Sequence, residues 1–268
     1  MPVVLISRGT MTGGQTLARC LADHLALRLV HREDLMSVID ARGEHAKKVR
    51  ASLDSATRAY DQFSQLRRPY LILMRHALLG FIRTGNIVYN GLASHLLVPG
   101  VSCCMRVRIN APLEMRVRHA IERLGVPEIE ARDAVLREDE ERVRWGRFMY
   151  GYDLRDPNLY DACFSLDRVS LPSICMMIVA GLQQDEFQPT PESIQELEDL
   201  YLSASVEAAL VSDGRTLIWE IGARARAGQV LLEGPFLEDA QLAPVIEVVR
   251  GVEGVQAVEY QPGCAASF

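Results

Sequence analysis

Pro2-Val3-Val4-Leu5-Ile6-Ser7 followed by Arg8-Gly9-Thr10-Met11-Thr12-Gly13-Gly14-Gln15-Thr16 is the stretch from which the fold can be read. Its first part is a short apolar run, as expected of a strand covered on both faces. From Thr16 to Leu27 the apolar residues Leu17, Leu21 and Leu25 recur at helical spacing. The order is strand, glycine loop, helix. Gly9 to Thr16 matches G-x-x-x-x-G-K-[ST] at every fixed position but one, where Gln15 replaces the lysine. Glycines let backbone N–H groups turn inward around a phosphate, and the helix N-terminus adds a favourable partial charge. Thr16 brings a hydroxyl suited to a magnesium ion. Gln15 donates a hydrogen bond but carries no charge. A tight strand-to-helix turn without a ligand would give the same residues, and the loop alone leaves that open. The flanking strand and helix favour a phosphate.

Outward from the loop, short apolar runs alternate with helical patterns. Leu27–Val30, Asn86–Gly91, Cys103–Ile109 and Asp161–Leu166 read as strands. Leu113–Leu124 (with Pro112 at its first turn), Glu128–Phe148 and Leu171–Leu182 read as helices, and Ile39–Gly85 is helical in pattern without a strand signal. Such alternation predicts an α/β domain on a parallel sheet. Around Pro189 and Pro191 the composition turns polar, which we read as a linker over 186–195 between a domain at 1–185 and a second at 196–262. In the second, Glu196–Val211 and Glu238–Arg250 read as helices. Thr216–Arg226, Gln229–Phe236 and Val255–Tyr260 read as strands, with a hairpin at Ala227-Gly228. The order α-β-β-α-β predicts a small α+β domain.

Composition narrows the function classes. The chain has 268 residues, 49% of them hydrophobic, enough for real cores and too many for wholesale disorder. The net charge is −6, and it is uneven. From Ser193 onward there are four basic and twelve acidic residues; the first 192 residues hold 25 and 23. An acidic chain is a poor general binder of nucleic acid, which needs a basic face. No apolar stretch approaches the roughly 20 residues of a bilayer span, and the N-terminal run lacks a signal peptide's basic segment, so we expect a cytoplasmic protein without a membrane partner. Cys20, Cys103, Cys104, Cys163, Cys175 and Cys264 show no zinc spacing and are expected as buried free thiols. His24, His45, His76, His95 and His119 show no metal or triad spacing. Only Lys47 and Lys48 stand beside 27 arginines, so a cation that handles phosphate here is expected to be an arginine.

The arginines concentrate in two places. Arg137, Arg142, Arg144 and Arg147 share a predicted helix with Glu138, Asp139, Glu140 and Glu141. Taken alone, this run reads more readily as a solvated helix laced with ion pairs than as a phosphate-binding lid. Arg67, Arg68 and Arg75 cluster around Pro69-Tyr70, readable either as a charged helix end or as an arm for an acceptor nucleotide.

Taken together, Ser7-Arg8 with Gly13-Gly14, Ala111-Pro112-Leu113-Glu114-Met115-Arg116, Asp139-Glu140-Glu141-Arg142 with Arg147, Tyr150 and Gly151, and Asp156-Pro157 with Tyr160-Asp161 resemble, in order, the motifs of the cytidylate kinase-like family. The likeness runs from about Val3 to Leu182. It implies a three-layer P-loop fold that binds ATP and magnesium and transfers a phosphoryl group to a nucleoside monophosphate such as CMP. It implies Arg8, Gly9, Thr12, Gly13, Gly14, Gln15 and Thr16 as the nucleotide-binding loop, Thr16 as the metal contact, Gln15, Arg142 and Arg147 as catalytic residues, with Asp139 orienting Arg142, and Arg67, Arg68 and Arg75 as acceptor contacts. Arg144 is expected at the surface. The chain departs from the family at Gln15, His31, Asn90-Gly91 and Ser165-Leu166, each time losing a charge or donor. Two readings follow: an ATP-dependent kinase with a lysine-less loop, or a nucleotide-binding regulatory protein that does not catalyse. From Leu197 to Tyr260, Gly228-Gln229-Val230-Leu231-Leu232-Glu233-Gly234 and Gly254-Val255-Gln256-Ala257-Val258 resemble a BON domain. That resemblance implies a sensor or interaction role, with a small ligand or an intramolecular contact as its partner.

Overall fold

The computed structural model describes residues 2–44, 46–49 and 64–263. His45, Cys264 and part of the helical reading of Ile39–Gly85 lie outside the described residues. The chain divides into two compact units, one of residues 1–32 and 84–189, the other of 33–83 and 190–268. The boundary read from composition is a division along the chain, whereas this is a division in space.

In the first unit, β1 (Val3–Arg8), β2 (Arg28–Val30), β3 (Ile87–Gly91), β4 (Cys104–Asn110) and β5 (Ala162–Ser165) form one sheet in the order β2-β3-β1-β4-β5. Each pairing is parallel, with Val4 opposite Val88 on one side and Met105 on the other. This is the predicted α/β class. β1 sits at the centre and its residues from Val3 to Ile6 are buried, which is why the run is continuously apolar. Helix α1 (Gly14–Leu25) lays Leu17, Ala18 and Leu21 onto the sheet beside Ile174, Cys175 and Ile178 of α6 (Leu171–Gly181). The helix pair α4 (Leu113–Leu124) and α5 (Glu128–Tyr150) makes its own small core from Val117, Ala120, Ala131 and Val135. Gly151, in the left-handed region at φ 76°, ends α5 by returning its N–H to the Arg147 carbonyl.

The second unit holds α2 (Arg32–Asp40), which begins at the join between the units, then α3 (Ser64–Thr84), α7 (Pro191–Ser212), α8 (Asp239–Arg250) and a three-stranded sheet β6-β7-β8. β6 (Gly222–Arg226) and β7 (Gln229–Gly234) are antiparallel; β8 (Ala257–Pro262) runs parallel to β7. The predicted α-β-β-α-β order is present. Its core joins Val206 and Leu210 of α7 to Val230 and Leu232 of the sheet and Val245 and Val249 of α8. α3 packs in the same unit. Arg68 Nη2 donates to the Ile221 carbonyl at 2.6 Å, Arg83 pairs with Glu198 at 2.9 Å, and His76 stacks on Tyr201 with ring centroids 5.3 Å apart.

Two boundaries and one burial differ from the sequence reading. α7 starts at Pro191, inside the stretch read as linker, because Thr190 and Ser193 form a reciprocal capping box and proline fits the first helical position. The strand expected from Thr216 begins only at Gly222, since Thr216 is drawn into a turn: its hydroxyl donates to the Leu210 carbonyl at 2.6 Å. Cys163 is exposed on the edge strand β5, contrary to the expectation of buried thiols; Cys103, Cys104 and Cys175 are buried and Cys20 is half-buried.

Candidate functional site

In an open parallel sheet, ligands sit beyond the carboxyl ends of the strands, where connections leave to opposite sides. Here a cavity of about 770 Å³ opens at those ends. Arg8 and Gly9 at the end of β1, Leu92 after β3, and Asn110 and Ala111 at the end of β4 line it, with Arg116 of α4 and Asp139, Glu140, Arg142 and Arg144 of α5.

The glycine loop borders this cavity. Gly9 N–H donates to the Ile109 carbonyl at 3.1 Å, tying the loop to β4, and the Thr12 hydroxyl closes the turn on the Gly9 carbonyl at 3.0 Å. Met11 packs against the α4–α5 core while its carbonyl meets His119 Nδ1 at 3.0 Å, so the loop is braced from the lid side. Gly13 takes φ 74°, a left-handed value that suits glycine, and caps α1 without any side-chain hydrogen bond. The first-turn amides of α1 are therefore left to an incoming anion. Gly14 is required for space: a Cβ there would meet Arg8 Cδ at 2.6 Å and Arg8 Cβ at 2.8 Å. Gln15 and Thr16 are exposed. Nucleotide phosphates fit this cradle. Among the described residues no cluster of three His, Cys, Asp or Glu side chains could hold a metal alone, so a magnesium ion would rest on Thr16 and the phosphate oxygens.

Six arginines line the cavity, Arg8, Arg108, Arg116, Arg142, Arg144 and Arg155, against two carboxylates, Asp139 and Glu140. Arg142 Nη1 donates to the Arg8 carbonyl at 2.9 Å, and its Nε to Glu138 at 3.0 Å. Glu138, one helical turn back, therefore orients Arg142, where the sequence suggested Asp139. Asp139 instead holds Arg116 at 2.7 Å, linking α5 to α4. Arg108 is buried and donates to the Tyr160 hydroxyl at 3.3 Å; that hydroxyl donates in turn to the Leu154 carbonyl at 2.8 Å. Arg155 pairs with Asp153 at 2.6 Å, holding that carboxyl well below its usual range. Burial and the neighbouring Arg142 push Arg8 below the ordinary arginine value, and it stays a cation.

Of the residues predicted from sequence, Arg8, Gly9, Thr12 and Arg142 line the cavity together. Gly13, Gly14, Gln15 and Thr16 follow in the loop and the first turn of α1. Arg147 lies outside the lining, exposed, at 3.3 Å from Asp153. Arg144 is exposed, as expected, and yet lines the cavity. Arg67, Arg68 and Arg75 stand on α3 in the second unit, where Arg68 holds the Ile221 carbonyl and Arg75 faces the buried Glu207. Arg108, Asn110 and Arg155 were missed. Arg108 left a signal: with Arg106 it interrupts an otherwise apolar buried strand, a place where charge needs a reason.

A glycine loop at the head of α1, and an arginine-lined cavity at the carboxyl ends of a parallel sheet flanked by helices, define an α/β protein with the P-loop kinase-like fold. Residues 3–168 match the Cytidylate kinase-like family, and the chain belongs to that family. It is 28% identical over 166 residues to a cytidylate kinase of Ignicoccus hospitalis, covering 60% of this chain and 87% of that one. It is 24% identical over 174 residues to a cytidylate kinase of Methanopyrus kandleri, covering 62% and 86%. A solved structure of a protein from Eubacterium ventriosum superposes with a TM-score of 0.52 at 19% identity, covering 69% of this chain and 99% of that one, a likeness of fold.

Proposed function

We propose that this protein is an ATP-dependent kinase that passes a phosphoryl group to a nucleoside monophosphate, CMP or a close relative. The observation that carries the reading is the convergence of six arginines on one cavity beside an uncapped helix N-terminus, in a chain whose net charge is negative. When bound, ATP with magnesium would supply the phosphoryl group, its terminal P–O bond breaking as a bond to an acceptor phosphate oxygen forms. The protein's part in such a transfer is positioning and charge stabilisation. The amides of Gly14, Gln15 and Thr16 hold phosphate oxygens, and Thr16 supports the metal. Arg142, fixed by Glu138 and the Arg8 carbonyl, presents its cation to the cavity from the lid. Arg116, fixed by Asp139, does so from α4. The cytidylate kinases among the relatives support CMP as acceptor.

Gln15 favours a second reading, a nucleotide-binding regulatory protein, because the loop position that elsewhere carries a lysine is here exposed and uncharged. The BON-like resemblance of the C-terminal stretch would then supply a sensor for a small ligand. Arg147 as a lid contact and Arg67, Arg68 and Arg75 as an acceptor arm stand as proposals alongside. A phosphate-transfer assay against a panel of nucleoside monophosphates decides. Transfer to CMP above the other acceptors supports the kinase; nucleotide binding without transfer to any of them supports the regulatory reading.

A further inference from the structure

Four of the six cavity arginines are tied to partners: Arg108 to Tyr160, Arg116 to Asp139, Arg142 to Glu138 and Arg155 to Asp153. Arg144 is exposed. Arg8 differs from all five. It is half-buried, and among the described residues its guanidinium has no hydrogen-bond or ion-pair partner. The charges nearest to it are Arg142, Arg123 and Glu138, and Arg142 has taken Glu138. A half-desolvated cation among other cations is unfavourable unless an anion completes the site. Its stem shows where that anion lies. Arg8 Cβ, Cγ and Cδ press on Gly14 so closely that a Cβ there would overlap them, which keeps the side chain against the first turn of α1, one residue before Gln15.

We infer that Arg8 is the phosphate-binding cation of this loop, supplying from the end of β1 the charge that a lysine at position 15 would supply from α1. The inference rests on the nucleotide-binding reading of the loop and deepens it. It also explains Gln15. With Arg8 folded over Gly14, a second fixed cation at position 15 would repel it, whereas an amide can donate to the same phosphate without that cost.

The test compares wild type with Arg8→Met, Gln15→Lys and the double variant, using calorimetric affinities for magnesium–ATP and magnesium–ADP and the transfer rate to CMP. Methionine keeps an apolar stem over Gly14 and removes the charge. Arg8→Met should weaken ATP binding about 10–100-fold, the span of a charge-assisted hydrogen bond, and ADP binding less. Gln15→Lys alone should not raise ATP affinity, because the two cations repel, yet it should restore most of the loss in the Arg8→Met background. Arg8→Met that binds ATP like wild type overturns the inference. So does Gln15→Lys that raises ATP affinity about tenfold or more by itself, because the position was then vacant; this arm holds even if Arg8→Met does not fold. Wild type that binds neither nucleotide overturns the loop reading and this inference together, a result distinct from either.

Discussion

Gly14 shows how one missing methyl group decides the chemistry of the loop. An alanine there would place its Cβ 2.8 Å from Arg8 Cβ, an atom that cannot swing away, so β1 or α1 must shift. Such overpacking costs about 1–3 kcal/mol. We expect Gly14→Ala to fold with a lowered melting temperature and to lose most of the thermal shift that magnesium–ATP gives the parent. An undiminished shift would mean that the Arg8 stem need not lie where it does. The lid offers a paired comparison. Arg142 is clamped on two sides and Arg144 is exposed, so Arg142→Ala should cut transfer to CMP about 10²–10³-fold, the usual effect of one preorganised donor. Arg144→Ala should cost much less. Equal losses in the two variants would assign the lid's charge to the helix as a whole. How far residues were legible follows the same line. Arg8, Gly9, Thr12 and Arg142 could be read because loop spacing and motif order fix them along the chain. Arg155 could not, since its route to the cavity runs through a turn held by Asp153. Nor could Asp139 be assigned to Arg116 from sequence, because that choice depends on where α4 lies beside α5.

Among the elements, those with strong periodicity or firm caps were read nearly to the residue, α4 and β1 above all. The errors fell where side chains compete for the backbone. Thr190 and Ser193 start α7 early, and Thr216 and Asp213 keep β6 short by bending 213–216 into a turn. No local signal showed what α3 packs on. Its buried His76 receives Arg42 Nη2 at 2.7 Å, and burial, aided by that guanidinium, holds the imidazole down to about 3. His95 in the first unit is held down to about 4 by burial and the nearby Arg106 and Arg108. Both imidazoles are neutral in the folded chain and take up protons below about pH 6.5 once it unfolds. The unfolded state then binds more protons, so stability falls as the pH drops from about 6.5 towards 4 and, for His76, on towards 3. His76 alone accounts for roughly 2 kcal/mol at pH 5. His76→Gln keeps an acceptor for Arg42 and removes the titration; the gap between its melting temperatures at pH 7.5 and pH 5 should shrink relative to wild type. An unchanged gap would place the acid sensitivity elsewhere.

For the molecule as a whole, binding and charge make the broadest test. Magnesium–ATP at about 100 times its dissociation constant should stabilise the fold to which it binds by about 2.7 kcal/mol. The affinity should fall with added salt, because the attraction comes from a cluster of arginines in an otherwise acidic chain. Calorimetric titrations at 50 and 500 mM salt would show it, and salt independence would argue against a cationic cavity as the seat of binding. None of the described helices is long and apolar enough to cross a membrane. The charge asymmetry visible in the sequence, with its acidic surplus beyond Ser193, falls on the unit that does not carry the glycine loop.

The second unit is assembled from residues 33–83 and 190–268, stretches separated by more than a hundred residues of the other unit. That arrangement sets a timetable for a chain made from its N-terminus. As α3 leaves the ribosome, Ile221, Glu198 and Tyr201, on which Arg68, Arg83 and His76 rest, have not yet been translated. At about 5–20 residues per second the wait is on the order of ten seconds. Through it, the side of α3 that carries His76, Gly80 and Arg83 has no α7 to meet. Nascent chains stalled just short of residue 190 should therefore be cut by protease in α3, and chains stalled after residue 263 has cleared the exit tunnel should be protected there. For this protein, a helix made early waits for partners made late.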